Sequence, residues 1–341
     1  MAHARRGRKK LNLALQGGGA HGAYAWGAID RLLEEDIEID GIVGTSAGAM
    51  NATVMAYGLA RGGNSGARAA LKSFWSKISE AAKNGPLQPS LIDKMFGDGN
   101  MSYSPGWLLM DSLSRIFSPY QLNPLNLNPL RDVLLDVVDF DFLQKTSKLK
   151  LFVCASNVMT GRLRVFRENE ITVDAVLASA CLPFMFQAVE IDGQYYWDGG
   201  YMGNPPLYPL FYHTDTRDVL IVQINPVNIQ ELPTTAQAIL DRINTLSFNS
   251  SLMREMRAID FVTKLIAKGF DDNGRLKRIN IHTIDAEEFL GRLGVSSKLN
   301  ADQGFLERLF DVGRGKTSEF VNAHYDKIGV MSSTDIEKKF L

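Results

Sequence analysis

Ser46 lies in the pentapeptide Gly-Thr-Ser-Ala-Gly at 44–48, between a short apolar run at 41–43 and a helical pattern at 47–59. In a sharp turn from a strand into a helix, a serine is strained and exposed, and flanking glycines avoid collisions with neighbouring backbone. The hydroxyl then lies at the start of a helix, where developing negative charge is favoured. The pattern predicts that Ser46 is a nucleophile in a strand-turn-helix elbow.

A glycine-rich turn precedes this elbow. The segment Gln-Gly-Gly-Gly-Ala-His-Gly at 16–22 follows another apolar run, at 11–15. Because glycines leave backbone N–H groups unobstructed, Gly17, Gly18 and Gly19 can face a ligand oxygen and stabilise an oxyanion, and the loss of one such donor typically costs about 3–4 kcal/mol of barrier. Both turns follow predicted strands, at the edge where open α/β sheets place their sites.

A nucleophilic serine needs a base, and no histidine in the sequence has a convincing setting for that role. His282 lies within an apolar alternation at 279–284, which is typical of a strand residue rather than a catalyst. The other histidines are His3, His21, His213 and His324. His21 lies inside the glycine-rich turn, where it could contact a substrate.

Asp198 is the better candidate for the base. It ends the second arm of a predicted hairpin and is followed by Gly199 and Gly200, which let a carboxylate approach another backbone segment closely. An unperturbed aspartate is a weak base at neutral pH. Burial would raise its basicity, and the oxyanion turn would then carry most of the stabilisation.

The three motifs, in this order, resemble the patatin-like phospholipase family. That family's pattern of Gly-Gly-Gly-x-x-Gly, Gly-x-Ser-x-Gly and Asp-Gly-Gly/Ala matches 17–22, 44–48 and 198–200 without a departure. The segment at 178–186 also resembles the one that the family carries ahead of its aspartate. The resemblance covers roughly 11–206, and the remaining segments carry no motif that can be transferred.

The resemblance implies a lipid acyl hydrolase with a Ser46–Asp198 dyad and an acyl-serine intermediate. It implies no catalytic histidine, no metal and no cofactor. The implied oxyanion hole is formed by Gly17, Gly18, Gly19 and Gly22. The implied substrates are phospholipids or other lipid esters, and the sequence indicates neither the headgroup nor the oligomeric state.

The remaining patterns predict an α/β fold. Apolar strand patterns occur at 11–15, 41–43, 150–156, 162–167, 188–191, 194–197, 218–224 and 279–284. Helical patterns occur at 23–35, 47–59, 67–83, 171–180, 234–268 and 306–324, with a loop at 61–66. This alternation predicts a mostly parallel central sheet with helices on both faces. The resemblance implies the three-layer patatin-like architecture, which is related to that of α/β-hydrolases.

We expect one α/β domain at 11–341, preceded by a basic flexible arm at 1–10. Prolines punctuate the segment 84–129, which we interpret as a lid or substrate-binding cap, with a core-packed insertion as the alternative. Its amphipathic piece at 107–117 could contact a lipid surface. The region 231–341 is predicted to be mostly helical. The basic arm is predicted to be a solubilising terminus. The alternative is that its positive charges attract anionic lipid headgroups.

Composition limits the function classes. The chain has 341 residues and a formal net charge of -1, which argues against general nucleic-acid binding. No apolar stretch approaches the length of a membrane span, and the basic arm does not lead into a secretory signal. Cys154 and Cys181 lie in apolar surroundings and are predicted to be buried free thiols. These features predict a cytoplasmic protein or one at the membrane periphery.

Two other functions are compatible with parts of the pattern. The glycines at 17, 19 and 22 match a dinucleotide-binding fingerprint, with Asp40 as the ribose-binding acid, but that Rossmann-type function gives Ser46 and Asp198 no role. The second alternative is a catalytically silent lipid-binding or regulatory protein with the same fold. The intact nucleophile, base and oxyanion turn argue against it.

Overall fold

This computed structural model describes residues 8–83, 85–270, 272–273 and 275–341, whose strands form one sheet. The strands are β1 (Lys9–Leu15), β2 (Ile37–Thr45), β3 (Lys150–Asn157), β4 (Leu163–Arg167), β5 (Val189–Ile191), β6 (Gln194–Asp198), β7 (Asp218–Val222) and β8 (Asn280–Ile284). Their order is β5-β6-β3-β2-β1-β7-β8, and β4 pairs with β3. Strands β3, β2, β1, β7 and β8 run parallel, whereas β4 and β6 pair antiparallel with β3.

Helices connect most of these strands. The α-helices are α1 (Gly22–Leu32), α2 (Ala47–Ala82), α3 (Leu91–Phe96), α4 (Pro105–Ser114), α5 (Pro119–Leu122), α6 (Pro129–Val137), α7 (Phe140–Thr146), α8 (Val173–Ser179), α9 (Tyr208–His213), α10 (Ala236–Ala267), α11 (Glu287–Leu290), α12 (Gln303–His324) and α13 (Ile336–Phe340). Short 3-10 helices lie at Gly19–His21, Glu168–Glu170, Gly199–Tyr201, Val295–Leu299 and Tyr325–Lys327.

The helices cover both faces of the sheet. Alternate residues of β1 point to opposite faces, because side chains in a strand alternate. Leu13 and Leu15 join a buried cluster with side chains of α1, α2 and α12, whereas Ala14 joins a second cluster with side chains of α9 and α10. The predicted α/β class, a mostly parallel sheet between helical layers, is therefore confirmed.

The first departure from the sequence patterns concerns the basic arm. Residues 1–7 lie outside the described residues, so the predicted arm is described only at its end. There Lys9 and Lys10 already belong to β1, and Lys10 Nζ lies 3.4 Å from Asp40 Oδ1. Arg8 pairs with Glu38 at 3.2 Å. These three basic residues are thus part of the fold rather than of a free arm.

The second departure is the predicted loop at 61–66. Helix α2 continues through it as a kink, in which Gly62 and Gly63 have non-helical dihedral angles and Gly63 has a φ of 61°. Glycine adopts positive φ without the steric cost that other residues meet. Two helical segments therefore meet at a kink at Gly62 and Gly63, where the sequence pattern predicts a break, but no open loop separates them.

Three short helices, α3 to α5, lie within the predicted insertion. Ser90, Ser104 and Ser118 occupy their N-cap positions, and α4 and α5 begin with a proline. Serine caps and proline at the first helical position both favour helix initiation. Prolines in this segment therefore start helices as well as separate them. None of the helices in the described ranges is long and apolar enough to cross a membrane.

Candidate active site

Ser46 is held in a strained elbow between β2 and α2. Its φ of 56° is unusual for a residue other than glycine, and such strain typically costs about 1–3 kcal/mol and is concentrated at functional sites. The Ser46 N–H donates to Ser179 Oγ at 2.9 Å, which anchors the turn. A Cβ at Gly44 would lie 2.4 Å from the carbonyl oxygen of Gly48, so the elbow closes only because Gly44 has no side chain.

The pairing along β3 brings Asp198 to this elbow. Cys154 pairs with Thr45 at the end of β2, and the next residue, Ala155, pairs with Asp198 at the end of β6. Both β3 residues also pair with β4, which occupies the opposite edge. Strands β2 and β6 therefore follow each other along one edge of β3, and Asp198 lies beside the point where the chain turns into Ser46.

The Asp198 carboxylate is fully buried, and burial is the main cause of its raised basicity. Desolvation raises the pKa of Asp198 to about 6, against the lowering effects of the Gly200 N–H, the Ser46 hydroxyl and the charge of Lys298. Oδ1 accepts the Gly200 N–H at 2.7 Å, whereas Oδ2 is buried without an aligned hydrogen-bond donor. The Ser46 hydroxyl therefore lies near the carboxylate, where it lowers the pKa of Asp198, but it makes no aligned hydrogen bond with Oδ2.

The glycine-rich turn requires a correction to the predicted oxyanion donors. The Gly17 N–H donates to Asn204 Oδ1 at 2.6 Å, and the Gly22 N–H donates to carbonyl groups of the preceding 3-10 turn. Neither group is free to bind a ligand oxygen. The prediction that Gly17 and Gly22 are oxyanion donors is therefore wrong, because local hydrogen bonds already occupy them.

Gly17 and Gly22 have a steric role instead. A Cβ at Gly17 would lie 2.6 Å from the Ser46 Cβ, and one at Gly22 would lie 2.7 Å from the Ala47 Cβ. Real Cβ atoms do not approach other atoms this closely. The two glycines let the turn pack directly against the elbow.

Three backbone N–H groups remain open beside Ser46. Within the described part of the chain, the N–H groups of Gly18, Gly19 and Ala47 donate to no other protein group. All three residues line the same cavity as Ser46. Ala47 was not among the predicted donors, although the residue after a nucleophilic serine commonly completes an oxyanion hole. Its position in the pentapeptide is the signal that could have identified it.

A largely apolar cavity of about 710 Å³ opens beside Ser46 and Asp198. This volume lies in the range of small-molecule sites. The sheet, the insertion and α10 all contribute to its wall, which includes Trp75, Trp107, Met110, Leu130, Phe186 and Phe248. A serine, a buried carboxylate and open N–H groups at the wall of an apolar cavity suit acyl transfer from an ester with a hydrophobic acyl chain.

A family model described as patatin-like phospholipase matches residues 13–211, which is more than half of the chain. The chain belongs to the patatin-like phospholipase family. The resemblance of the three motifs is thereby confirmed. The family places the chain among enzymes of lipid ester hydrolysis.

Solved structures of two bacterial proteins are similar to this patatin-like chain. VipD from Legionella pneumophila is 15% identical with a TM-score of 0.44, and the match covers 97% of this chain and 72% of that one. ExoU from Pseudomonas aeruginosa, in complex with SpcU, is 15% identical with a TM-score of 0.33. That match covers 93% of this chain and 53% of ExoU, so this chain spans about half the length of ExoU.

Two histidines of this patatin-like chain, His21 and His282, bind groups other than Ser46 and Asp198. His21 Nε2 lies 2.8 Å from Ser297 Oγ, and burial lowers the pKa of His21 to about 3, so its ring is neutral. His282 Nδ1 lies 2.8 Å from Ser333 Oγ and its Nε2 lies 3.0 Å from Asp218 Oδ1. His282 is a paired strand residue, as its alternating pattern predicts. His3 lies outside the described residues.

The Asp40 carboxylate does not suit the dinucleotide-binding alternative. It lies in the middle of β2 and accepts the N–H groups of Asp215 and Thr216 at 2.7 and 3.2 Å. Dinucleotide sites use the carboxyl ends of the strands. Asp40 instead lies beside the first half of β1, several residues before the glycine-rich turn. Its hydrogen bonds fix the backbone of Asp215 and Thr216, just before β7 begins.

Sequence reasoning missed several polar residues around the patatin-like site. Ser179 holds the elbow, Asn204 holds Gly17, and Lys298 lines the cavity. Ser179 lies in the segment 178–186 and Asn204 lies shortly after the Asp-Gly-Gly motif, but no spacing indicates which group either one binds, and Lys298 lies far from every motif. The one available signal was the expectation that the strand ends meet at the same edge of the sheet, where the two turns would need hydrogen-bond partners.

Proposed function

We propose that this protein hydrolyses carboxylic ester bonds of lipids, including phospholipids, with Ser46 as nucleophile and Asp198 as base. The observation that carries the proposal is a fully buried carboxylate beside the Ser46 hydroxyl in an apolar cavity. A raised pKa near 6 makes Asp198 a stronger base than a solvated aspartate, yet leaves it charged at neutral pH. No histidine is needed in this scheme.

In the first half-reaction, Ser46 Oγ attacks the ester carbonyl carbon and its proton passes to Asp198 Oδ2. The carbonyl oxygen becomes an oxyanion, which the open N–H groups of Gly18, Gly19 and Ala47 stabilise together with the N-terminus of α2. The tetrahedral intermediate then collapses to an acyl-serine. Asp198 returns the proton to the departing alcohol oxygen, which leaves as the free alcohol or lysolipid.

In the second half-reaction, water attacks the acyl-serine carbonyl and gives its proton to Asp198. The same N–H groups hold the second oxyanion. When this intermediate collapses, the proton passes from Asp198 to Ser46 Oγ and the fatty acid leaves. The enzyme returns to its starting state, and the net change is hydrolysis of one ester bond.

An exposed apolar surface on the insertion supports contact with a lipid interface. We call it the apolar rim, and it comprises Leu91, Phe96, Leu109, Ile116 and Phe117. These five large apolar side chains are exposed within one segment of the chain, 91–117, and exposed apolar surface of this kind is typical of interaction sites. Helix α4 links the rim to the cavity, because Trp107 is buried in the cavity wall whereas Leu109 is 61% exposed. Trp107 is therefore not part of the lipid-facing surface, contrary to the hypothesis for the whole piece 107–117.

Fatty-acid release from mixed phospholipid vesicles tests the proposal, with a short-chain aryl ester assayed alongside and Ser46→Ala as the control. We expect release that the Ser46→Ala variant lacks. Turnover of the aryl ester without release from vesicles would identify a soluble esterase instead. No turnover of either substrate would favour the catalytically silent lipid-binding alternative.

A further inference from the structure

Lys298 packs directly against the glycine-rich turn. A Cβ at Gly19 would lie 2.2 Å from the Lys298 carbonyl oxygen and 3.3 Å from the Lys298 Cβ. Gly19 also has a φ of 58°, so it accommodates Lys298 by both its conformation and its missing side chain. The Lys298 side chain therefore starts beside the N–H groups that face Ser46, and it lines the same cavity.

The Lys298 ammonium has only neutral hydrogen-bond partners in the described residues. Its Nζ donates to Asn225 Oδ1 at 3.2 Å and to Asn244 Oδ1 at 3.1 Å. It also lies 5.3 Å from the centre of the Phe248 ring. An ammonium group has three donors. One donor of Lys298 is thus left over beside the cavity.

Lys298 is the cation of the cavity wall that lacks a carboxylate partner. The other cation in the wall, Arg115, pairs with Asp111 at 3.0 Å. Within the described ranges Lys298 forms no ion pair, and Asp241 and Asp198 act on it only from longer range. Desolvation lowers the pKa of Lys298 to about 8, so the group remains mainly protonated at pH 7. Lys298 is half-buried, and an ammonium that is partly withdrawn from water without a direct counterion is costly.

Asn244 adds a second donor at the same place. Its Oδ1 accepts from Lys298, and its Nδ2 donates to no group in the described part of the chain. Asn244 also lines the cavity. The amide of Asn225, by contrast, is occupied, because its Nδ2 donates to the Gly17 carbonyl oxygen at 2.9 Å. The ammonium of Lys298 and the amide of Asn244 are the pair available to an anionic ligand.

We propose that Lys298 and Asn244 bind the phosphate group of a phospholipid whose ester lies at Ser46, an inference that rests on the proposed lipid hydrolysis. A phosphate supplies the anion that the cavity wall lacks, and it accepts hydrogen bonds from both donors. Lys298 would then set the preference for phosphate-bearing lipids over neutral ones. The ester itself is cleaved by the groups described above.

Binding to the Ser46→Ala variant tests this subsite without turnover. The probes are decanoylglycerol and its phosphate monoester, and the readout is fluorescence of Trp75 and Trp107 in the cavity wall. We expect the phosphate-bearing lipid to bind about ten- to hundredfold more tightly, the range expected for a charge-assisted hydrogen bond. Adding Lys298→Met should remove the preference, and Lys298→Arg should restore most of it.

The control variant is Lys77→Met, which removes a surface charge paired with Asp136. It should leave the preference intact. Equal affinity for both probes in Ser46→Ala, or a preference that survives Lys298→Met, would overturn the proposal. An inactive wild type whose Ser46→Ala variant still prefers the phosphate would refute hydrolysis but support the subsite.

Turnover separates this role from an effect of Lys298 on Asp198. In the wild-type background, Lys298→Met should lower the ratio of kcat/KM for phosphatidic acid to that for diacylglycerol, mainly through KM, in micelles of one nonionic detergent. An equal loss on both lipids would mean that Lys298 acts through Asp198 and would contradict the proposal, whereas a shift of the pH profile alone is expected because the charge of Lys298 lowers the pKa of Asp198.

Discussion

At the scale of single residues, burial determines what Asp198 can do. Its carboxylate is fully buried, it accepts one backbone N–H, and none of the cations in the described residues is in direct contact with it. Desolvation therefore outweighs the groups that favour its charged form. The same burial that makes the carboxylate basic makes its charge costly to the fold. Both effects are measurable.

The first effect is a pH dependence of the rate. Because Asp198 must be deprotonated to accept the Ser46 proton, kcat/KM should rise with pH through about 6 and level off above it. Removing the positive charge of Lys298 should move this limb to higher pH, since that charge lowers the pKa of Asp198. A pH–rate profile with the aryl ester measures both. A limb that lies near the pKa of a solvated aspartate would contradict this assignment.

The second effect is a gain in stability when the charge is removed. The pKa of Asp198 is raised from 3.8 to about 6 in the folded state, so the stability linked to this group is full below about pH 4 and is lost as pH rises through 6. Asp198→Asn should therefore be more stable than the wild type above pH 6, by up to about 3 kcal/mol. Urea denaturation at several pH values measures the difference, which should shrink towards pH 4. A variant less stable than the wild type at pH 8 would contradict the account.

At the scale of elements, the glycine-rich turn and α2 must approach each other closely. Gly17→Ala should lose most activity and destabilise the fold, because its Cβ would meet both the Ser46 Cβ and the Thr45 carbonyl oxygen within 3 Å. Gly315→Ala is the matched control, since no atom lies within 4 Å of a Cβ there. That change in α12 should stabilise the protein by about 0.5–1 kcal/mol. Thermal melting and aryl-ester rates distinguish the two. Full activity in Gly17→Ala would show that the turn tolerates displacement.

Helix α4 and the segment after it make a separate prediction about lipid surfaces. Replacing Leu109 and Ile116 with Ser should lower vesicle binding and hydrolysis at least about tenfold, because each side chain would bury apolar area in the lipid. The aryl-ester rate should change little, since neither residue lines the cavity.

The control pair for the apolar rim is Val330 and Met331, which are also exposed but lie near the C-terminus, outside the cavity wall. Their replacement with Ser should leave vesicle binding unchanged. Equal losses in both double variants would show that general hydrophobicity, rather than the rim, drives binding. Unchanged vesicle binding in the Leu109 and Ile116 double variant would contradict contact between the apolar rim and the lipid surface.

At the scale of the whole molecule, local patterns predicted the sheet and the position of its motifs. The elements around Ser46 and Asp198 can be predicted from the sequence, because strands, turns and helices each need particular residues at short spacing. The turn at 192–193 is such a case, since Asp192 and Gly193 both adopt positive φ in the hairpin that delivers Asp198.

The contacts between distant segments could not be predicted in the same way. Asn204 takes the Gly17 N–H, and Ser179 takes the Ser46 N–H, yet neither lies near its partner in the sequence. The Lys298 side chain reaches the cavity from a 3-10 helix in a region without motifs. A loop rather than a kink was predicted within α2, because three glycines and polar residues between two helical patterns normally indicate a loop.

The most direct test of the account compares Asp198→Asn with His282→Gln in the vesicle assay, with rates normalised to the folded fraction. We expect Asp198→Asn to lose at least about a thousandfold in kcat, as when a general base is removed. His282→Gln should keep nearly the full rate per folded molecule. Full activity in Asp198→Asn, or a comparable loss in His282→Gln, would contradict a Ser–Asp dyad.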